Sequence, residues 1–460
     1  MEEKIPAGGE STRENKMGVL PVGKLLANMA VPMMISMLFQ ALYNVVDSIF
    51  VAQLSQDAMN AVSLAFPLQS LVIALGGGTG VGMNALLSRS LGEKKQEAAD
   101  RAANTGIFLY LCSFVVFCLV GLLLSRPFFM LQTDNPHIIR YGTEYTMICI
   151  GCSIGIFGQF CFERLLQSTG RTGLSMASQL TGAIINIILD PILIFGLCGM
   201  PRMEVAGAAV ATVVGQLVAS AMALFFNLKY NPDIHIRIRH IRWHGPTALD
   251  IYRVGIPSIL MQSIGSIMTF TMNQILIGFT EAATAVFGVY FRLQSFIFMP
   301  IFGMNNGVVP IVAYNYGAAR LDRVKQTIKL AICVSVSIMT VGFLMFEFAP
   351  HVLLGFFNPT EEMLSIGITA MRIIGTHLPI AGVCIITISV VQAIGNPFYS
   401  LITAVCRQLV VLLPTAWLLS RTGRLDLVWL AFPLAEIVSV VLCLIFLRRT
   451  LRNAREHLGQ

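Results

Sequence analysis

Two aspartates stand inside apolar runs, Asp47 in YNVVDSIFV and Asp190 in NIILDPIL. A carboxyl group at membrane depth costs several kcal/mol, so it marks a proton or cation path more readily than a structural prop. Asn186 precedes Asp190 by one turn and shares its helical face. Carboxylates beside amide and hydroxyl oxygens can hold either H+ or Na+, and local hydrogen bonding is the structural alternative for both aspartates. Glu163 and Arg164 are adjacent near the end of another apolar run, where a solvated or interfacial pair is expected. Arg407 and Glu436 lie in successive apolar runs and are expected to neutralise one another, while Arg292 stands alone in a third.

Methionine recurs at helical spacing as Met33, Met34 and Met37, then as Met261, Met268 and Met272. Flexible thioethers suit a wall that adapts to several ligands, although such stripes also fill cores. Met37, Gln40, Tyr43, Met261, Met268, Met272 and Arg292 are the candidate lining of a substrate cavity. GGGTGVG at 76–82 resembles a phosphate loop, but no GK[ST] follows and the run is embedded in apolar sequence, so close helix packing is expected. His235, His240 and His244 have no standard metal spacing, and all ten cysteines read as small hydrophobes. No metal centre, cofactor or catalytic residue is expected.

Composition says where this chemistry takes place. Hydrophobic residues make up 55% of the 460 and charged residues 12%, with a mean hydropathy of +0.74. A soluble domain carries roughly 25% charged residues. An all-α membrane protein follows. Twelve stretches between residues 25 and 447 are long and apolar enough to cross a bilayer. The tails and even-numbered loops, with their flanks, hold 23 of the 31 Lys and Arg, which places both termini in the cytoplasm by the positive-inside rule. The net charge of +7 thus records topology and does not point to nucleic acid.

The two halves repeat at one offset of 225 residues. Pro32 pairs with Pro257, Leu68-Gln69-Ser70 with Leu293-Gln294-Ser295, Gly82 with Gly307, Gly92 with Gly317, Gln167 with Gln392, and Gly170 with Gly395. Six spans per copy is an even number, so the copies enter the membrane from the same side. They are then two six-helix bundles related by a pseudo-two-fold axis along the membrane normal, a transporter plan with a site between lobes. The expected division is a tail 1–24, an N-lobe 25–228, a linker 229–251, a C-lobe 252–447 and a tail 448–460. The same offset turns Asp47 into Met272 and Asp190 into Thr415, so only the N-lobe keeps the two acids.

The segments VPMMISMLFQALYNVVDSIFV, FERLLQSTGRTGLSMASQLTGAIINIILDPILIFG, VAGAAVATVVGQ, GIPSILMQ and PIVAYNYGAAR resemble the multidrug and toxic compound extrusion (MATE) family, in its DinF-like branch with the MepA-like exporters. The resemblance covers about Leu25 to Leu447. It implies two bundles around a V-shaped cavity, and export of cationic or amphipathic drugs against H+ or Na+. Matched residue by residue, it implies a cation-coupling network of Asp47, Asn186, Asp190 and Thr212, with Na+ possible there, a further acid at Glu163, and a first helix that bends near Pro32. Other branches place coupling acids in helices 7 and 10, where this sequence offers Gln262, Asn273 and His377.

The expected function is a multidrug antiporter in a bacterial plasma membrane, acting as a monomer on small molecules and H+ or Na+, without nucleic acid. The alternative is a flippase for lipid-linked precursors. An enzyme finds no support in the motifs.

Overall fold

The structure is a computed structural model, and it describes residues 15–357 and 359–458. Among them there is no strand. The first half contributes α1 (Val22–Leu54), α2 (Gln56–Gly92), α3 (Gln96–Met130), α4 (Pro136–Ser168), α5 (Thr172–Phe195) and α6 (Val205–Tyr230). The second contributes α7 (Gly245–Ile277), α8 (Glu281–Gly317), α9 (Leu321–Phe348), α10, α11 (Pro397–Ser420) and α12 (Leu425–His457). Eleven of these are long and apolar enough to cross a membrane, and α10 is a pair, Glu361–Gly375 and Leu378–Ala393, bent by 48°.

The duplication extends to irregularities. Helix α4 is interrupted between Gly151 and Ile154, and α10 between Gly375 and Leu378. His377 in the second break is Cys152 of the first moved by the repeat offset. Pro32 and Pro257, another matched pair, both lie inside unbroken helices, α1 and α7.

Glycines set where the two halves meet. A Cβ at Gly303 or Gly307 of α8 would strike the backbone of Met33 or of Met29 and Ala30 in α1. Their repeat partners, Gly78 and Gly82 of α2, lie as closely on Gly255 and Ile251 of α7. The apparent phosphate loop is therefore a packing surface, as small residues in membrane helices commonly are. At the end of the bundle where α1 begins and α12 ends, α2 and α8 cross on the pseudo-axis. Gly92 abuts the Tyr314 carbonyl there, and Gly317 abuts that of Arg89. These contacts exchange under the 225-residue offset, so one sequence feature forms both.

A short strap covers this crossing. Asn15 Nδ2 donates to the Thr169 carbonyl at 3.0 Å, beside the α4–α5 turn. Met17, buried, offers its carbonyl to Asn315 Nδ2 and Arg323 Nη2, each at 3.1 Å, and Arg323 Nη2 also reaches the Leu20 carbonyl at 2.6 Å. The strap thus ties the first half to α8 and α9. Partial burial of the Lys16 ammonium, with the Arg171 guanidinium nearby, lowers its pKa from the ordinary lysine value.

Three boundaries differ from the sequence expectation. Of the tail expected over 1–24, residues 1–14 lie outside the described residues, while the rest is the strap and the start of α1, because Met17, Val22 and Leu25 have apolar surface to bury. The tail expected at 448–460 continues α12 to His457, since Thr450 and Ala454 repeat the buried face of Leu447. The linker expected over 229–251 is cut short by α7, which begins at Gly245, and it lies on the first half: His235 Nδ1 meets Asp100 at 3.1 Å, and Arg171 meets Asp233 at 3.2 Å. His244 instead caps α7 by accepting from the Thr247 amide at 3.3 Å.

Leucine at Gly82 or Gly307 should therefore prop the halves apart. Overpacking of this kind costs about 1–3 kcal/mol. Both Gly82→Leu and Gly307→Leu should melt at lower temperature than the parent in detergent. Equal melting would show that the seams tolerate a side chain.

Candidate functional site

The site begins with the packing of α5 on α6. Gly182 and Gly215 face each other so closely that a Cβ on either would meet the other's carbonyl oxygen. One turn along α5 from Gly182 comes Asn186, and one further turn brings Asp190. The close approach sets this face against Thr212 of α6. The Asn186 amide lies 3.1 Å from Thr212 Oγ1. In the amide orientation that satisfies both groups, its nitrogen donates to Asp190 Oδ2 at 3.3 Å and its oxygen accepts from the Thr212 hydroxyl and amide, both at 3.1 Å.

Helix α1 supplies the fourth member. Asp47 lies close enough to Asp190 for the two carboxyl groups to influence one another. Asp190 is fully buried, and one oxygen of each carboxyl, Oδ1, is enclosed without a hydrogen-bond partner among the described residues. Buried polar atoms are nearly always satisfied, so two orphan carboxyl oxygens in one cluster mark a place for a proton or a cation. Two charged carboxylates in contact repel, and one proton between them converts the repulsion into a hydrogen bond. The residues derived from sequence, Asp47, Asp190 and Asn186, and the one carried by resemblance, Thr212, are thus brought together by three helices.

This cluster adjoins a cavity of about 640 Å³. It extends from Met59, one turn from the start of α2, past Asp47 to Arg164 of α4 and Asn306 of α8. Met37, Gln40 and Tyr43 line it as expected of a cavity wall, and Asp47, Asn186, Thr212 and Glu163 open onto the same space. Pro32 lies outside that wall. So do Met261 and Arg292. Met268 and Met272 instead pack into the apolar core of the second half, with Leu276, Phe287 and Tyr290. A thioether stripe is ambiguous between cavity and core because both are apolar.

Glu163 and Arg164 do not form the solvated pair expected from their adjacency. Glu163 is buried and accepts from Gln159 Nε2 at 3.0 Å, Gln179 Nε2 at 2.8 Å and Ser178 Oγ at 3.5 Å. Arg164 points elsewhere: its Nη1 donates to Gln167 Oε1 at 2.9 Å and, across to the second half, to Asn306 Oδ1 at 2.7 Å. Successive helical residues are about 100° apart, so neighbours in sequence rarely meet. The four-residue spacing of Gln159 and Glu163 was the sequence signal for the pair that does form.

In the second half one acid, Glu436, is approached by two bases. Arg407 Nη1 lies 3.5 Å from Glu436 Oε1, and His377 Nδ1 lies 3.7 Å from Glu436 Oε2. Tyr290 shares a 2.8 Å hydrogen bond with His377 Nε2. Met272 and Thr415, the counterparts of the two aspartates, offer no ionisable group.

The MatE family model matches residues 32–192 and again 257–418, two copies displaced by the repeat offset. The chain belongs to the MatE family. Among curated relatives, the multidrug export protein MepA of Staphylococcus haemolyticus is 27% identical over 432 residues, covering 94% of each chain. A FAD transporter of Shewanella oneidensis is 26% identical, over 92% of this chain and 94% of its own. A solved outward-facing multidrug resistance MATE transporter of the MOP superfamily superposes with a TM-score of 0.90 at 25% identity, over 97% of this chain and all of that one. This MatE transporter therefore has the two-bundle fold expected from its repeat.

Removing the Glu163 acceptor should destabilise the site. Glu163→Leu leaves two amide donors unmatched, at about 1–3 kcal/mol for each buried group left unsatisfied, whereas Glu163→Gln keeps one acceptor oxygen. Detergent melting should rank parent above Glu163→Gln above Glu163→Leu. An unshifted leucine variant would contradict the burial of this cluster.

Proposed function

We propose that this MatE transporter is a secondary active efflux antiporter that exports cationic or amphipathic small molecules in exchange for H+ or Na+. The single observation that carries the reading is the Asp47–Asp190 pair, with orphan oxygens beside a large cavity, in one half of a duplicated scaffold only. Carboxylates needed merely to hold a bundle together have no reason to be confined to one copy. The names of curated relatives, a multidrug export protein and a FAD transporter, support organic cargo over inorganic ions.

In this mechanism the lobes are 25–228 and 252–447, both termini are cytoplasmic, and the protein works as a monomer in a bacterial plasma membrane. A proton or Na+ entering from outside binds between Asp47 and Asp190, with Asn186 and Thr212 as neutral oxygen partners. The negative potential that held a cationic substrate in the cavity is thereby reduced. Helix α1, which carries both Asp47 and the seam to α8, bends near Pro32 as its carboxylate changes partners, and the substrate leaves outward. The lobes then rock about the glycine seams, the crossing of α2 and α8 parts, and the cation is released inside. Glu163, with its three donors, is the second cation-handling acid.

The energy is sufficient. One charge moving through 100 mV yields about 2.3 kcal/mol. A tenfold cation gradient adds about 1.4 kcal/mol. Together they sustain a substrate gradient of a few hundred-fold.

Asp47→Asn and Asp190→Asn should reach the membrane, keep the fold and lose efflux of a fluorescent cation from proteoliposomes by at least about tenfold, the effect of 1.4 kcal/mol. Imposing the pH and Na+ gradients separately on the parent identifies the coupling ion. Full efflux in either variant would remove the pair from the mechanism.

A further inference from the structure

The Arg164 guanidinium is held by neutral amides and makes no ion pair among the described residues, the adjacent Glu163 carboxyl being turned to other donors. It lines the inner end of the cavity and is partly open to it, and among the described residues no carboxylate lies within ion-pairing distance. Its neighbour Glu163 is engaged by Gln159, Gln179 and Ser178. Among the described residues the guanidinium's hydrogen bonds go through Nη1 alone, to the neutral amides of Gln167 and Asn306. Arg407, the comparable arginine of the second half, meets Glu436. A guanidinium away from bulk water is costly unless an anion meets it, and its flat fork suits a carboxylate or phosphate in two-point contact.

We infer that Arg164 is an anion subsite of the transport cavity, so that the preferred cargo is an amphipathic zwitterion with its carboxylate or phosphate at Arg164 and its cationic part toward Asp47. Among the described residues Arg164 is the only Lys or Arg lining this cavity, and Asp47 opens onto the same space. The cavity thus carries one cationic group, Arg164, and acids at Asp47 and Glu163, among an apolar and aromatic wall that includes Met37, Phe66 and Phe160. An arriving anion competes with the Asn306 amide for the guanidinium. Because Asn306 belongs to α8, that exchange loosens a bond joining the two halves at the level where they must separate. The inference rests on the efflux reading and adds to it a substrate class and a specificity-determining residue.

A matched dye pair tests it: a rhodamine with a free benzoate, and its methyl ester, which keeps the cationic ring system but lacks the acid. Fluorescence polarisation with purified parent protein should show the acid bound about tenfold more tightly than the ester, the scale of one charge-assisted hydrogen-bonded contact. Arg164→Gln should bring that ratio close to one, and Arg164→Lys should retain part of it. Export of the two dyes from proteoliposomes should follow the same order. Binding of both dyes by the parent with no preference for the acid would overturn the anion subsite while leaving the efflux reading standing. So would an acid preference that survives in Arg164→Gln. Failure of the parent to bind either dye would contradict both. The parent's own ratio decides the matter should the glutamine variant fail to fold.

Discussion

An acid can stay inside a membrane-depth helix only if something else occupies its oxygens, and that requirement organises the first half of the molecule. Asp47 and Asp190 lie close together, Asn186 and Thr212 stand beside them, and two oxygens remain without partners. The arrangement needs α1, α5 and α6 at fixed separations. The facing glycines Gly182 and Gly215 set one of these, by allowing two backbones nearly into contact. The site is therefore a consequence of small residues several turns away as much as of its acids.

The same economy appears between the halves. One repeated pattern of glycines, applied twice, forms the α1–α8 and α2–α7 seams and the crossing of α2 and α8. Seams made of close backbone contact carry little side-chain interdigitation to break, which suits surfaces that must slide or rock. The polar contacts across them are few and specific. They include Arg164 with Asn306, and the strap that holds Asn315 and Arg323 through the carbonyls of residues 17 and 20. Any separation of the halves at this end would break these.

Much of this was legible in the sequence, because the bilayer imposes two simple rules: apolar runs of sufficient length, and no ionisable group without a reason. The spans and the two aspartates as candidates follow from those rules, the duplication follows from the 225-residue offset, and the grouping of Asp47 with Asp190, Asn186 and Thr212 came from the family resemblance. Side-chain direction follows from none of these. Glu163 and Arg164 differ by one residue yet serve different partners, and Met268 and Met272 turn into a core rather than a cavity. The 15–20 strap escaped because its hydrogen bonds come from backbone carbonyls, which leave no compositional trace. The continuation of α12 was hidden by the arginines that alternate with its buried face.

The central claim is that substrate and cation compete for one pair of carboxyl groups. It is tested most directly by adding ethidium, a permanent cation, to purified protein in weakly buffered detergent, while a pH indicator and radiolabelled sodium report what leaves. Binding should expel a proton or a sodium ion from the parent protein, and expel none from the Asp190→Asn variant. Binding of ethidium at full occupancy with neither ion released from the parent would contradict the account.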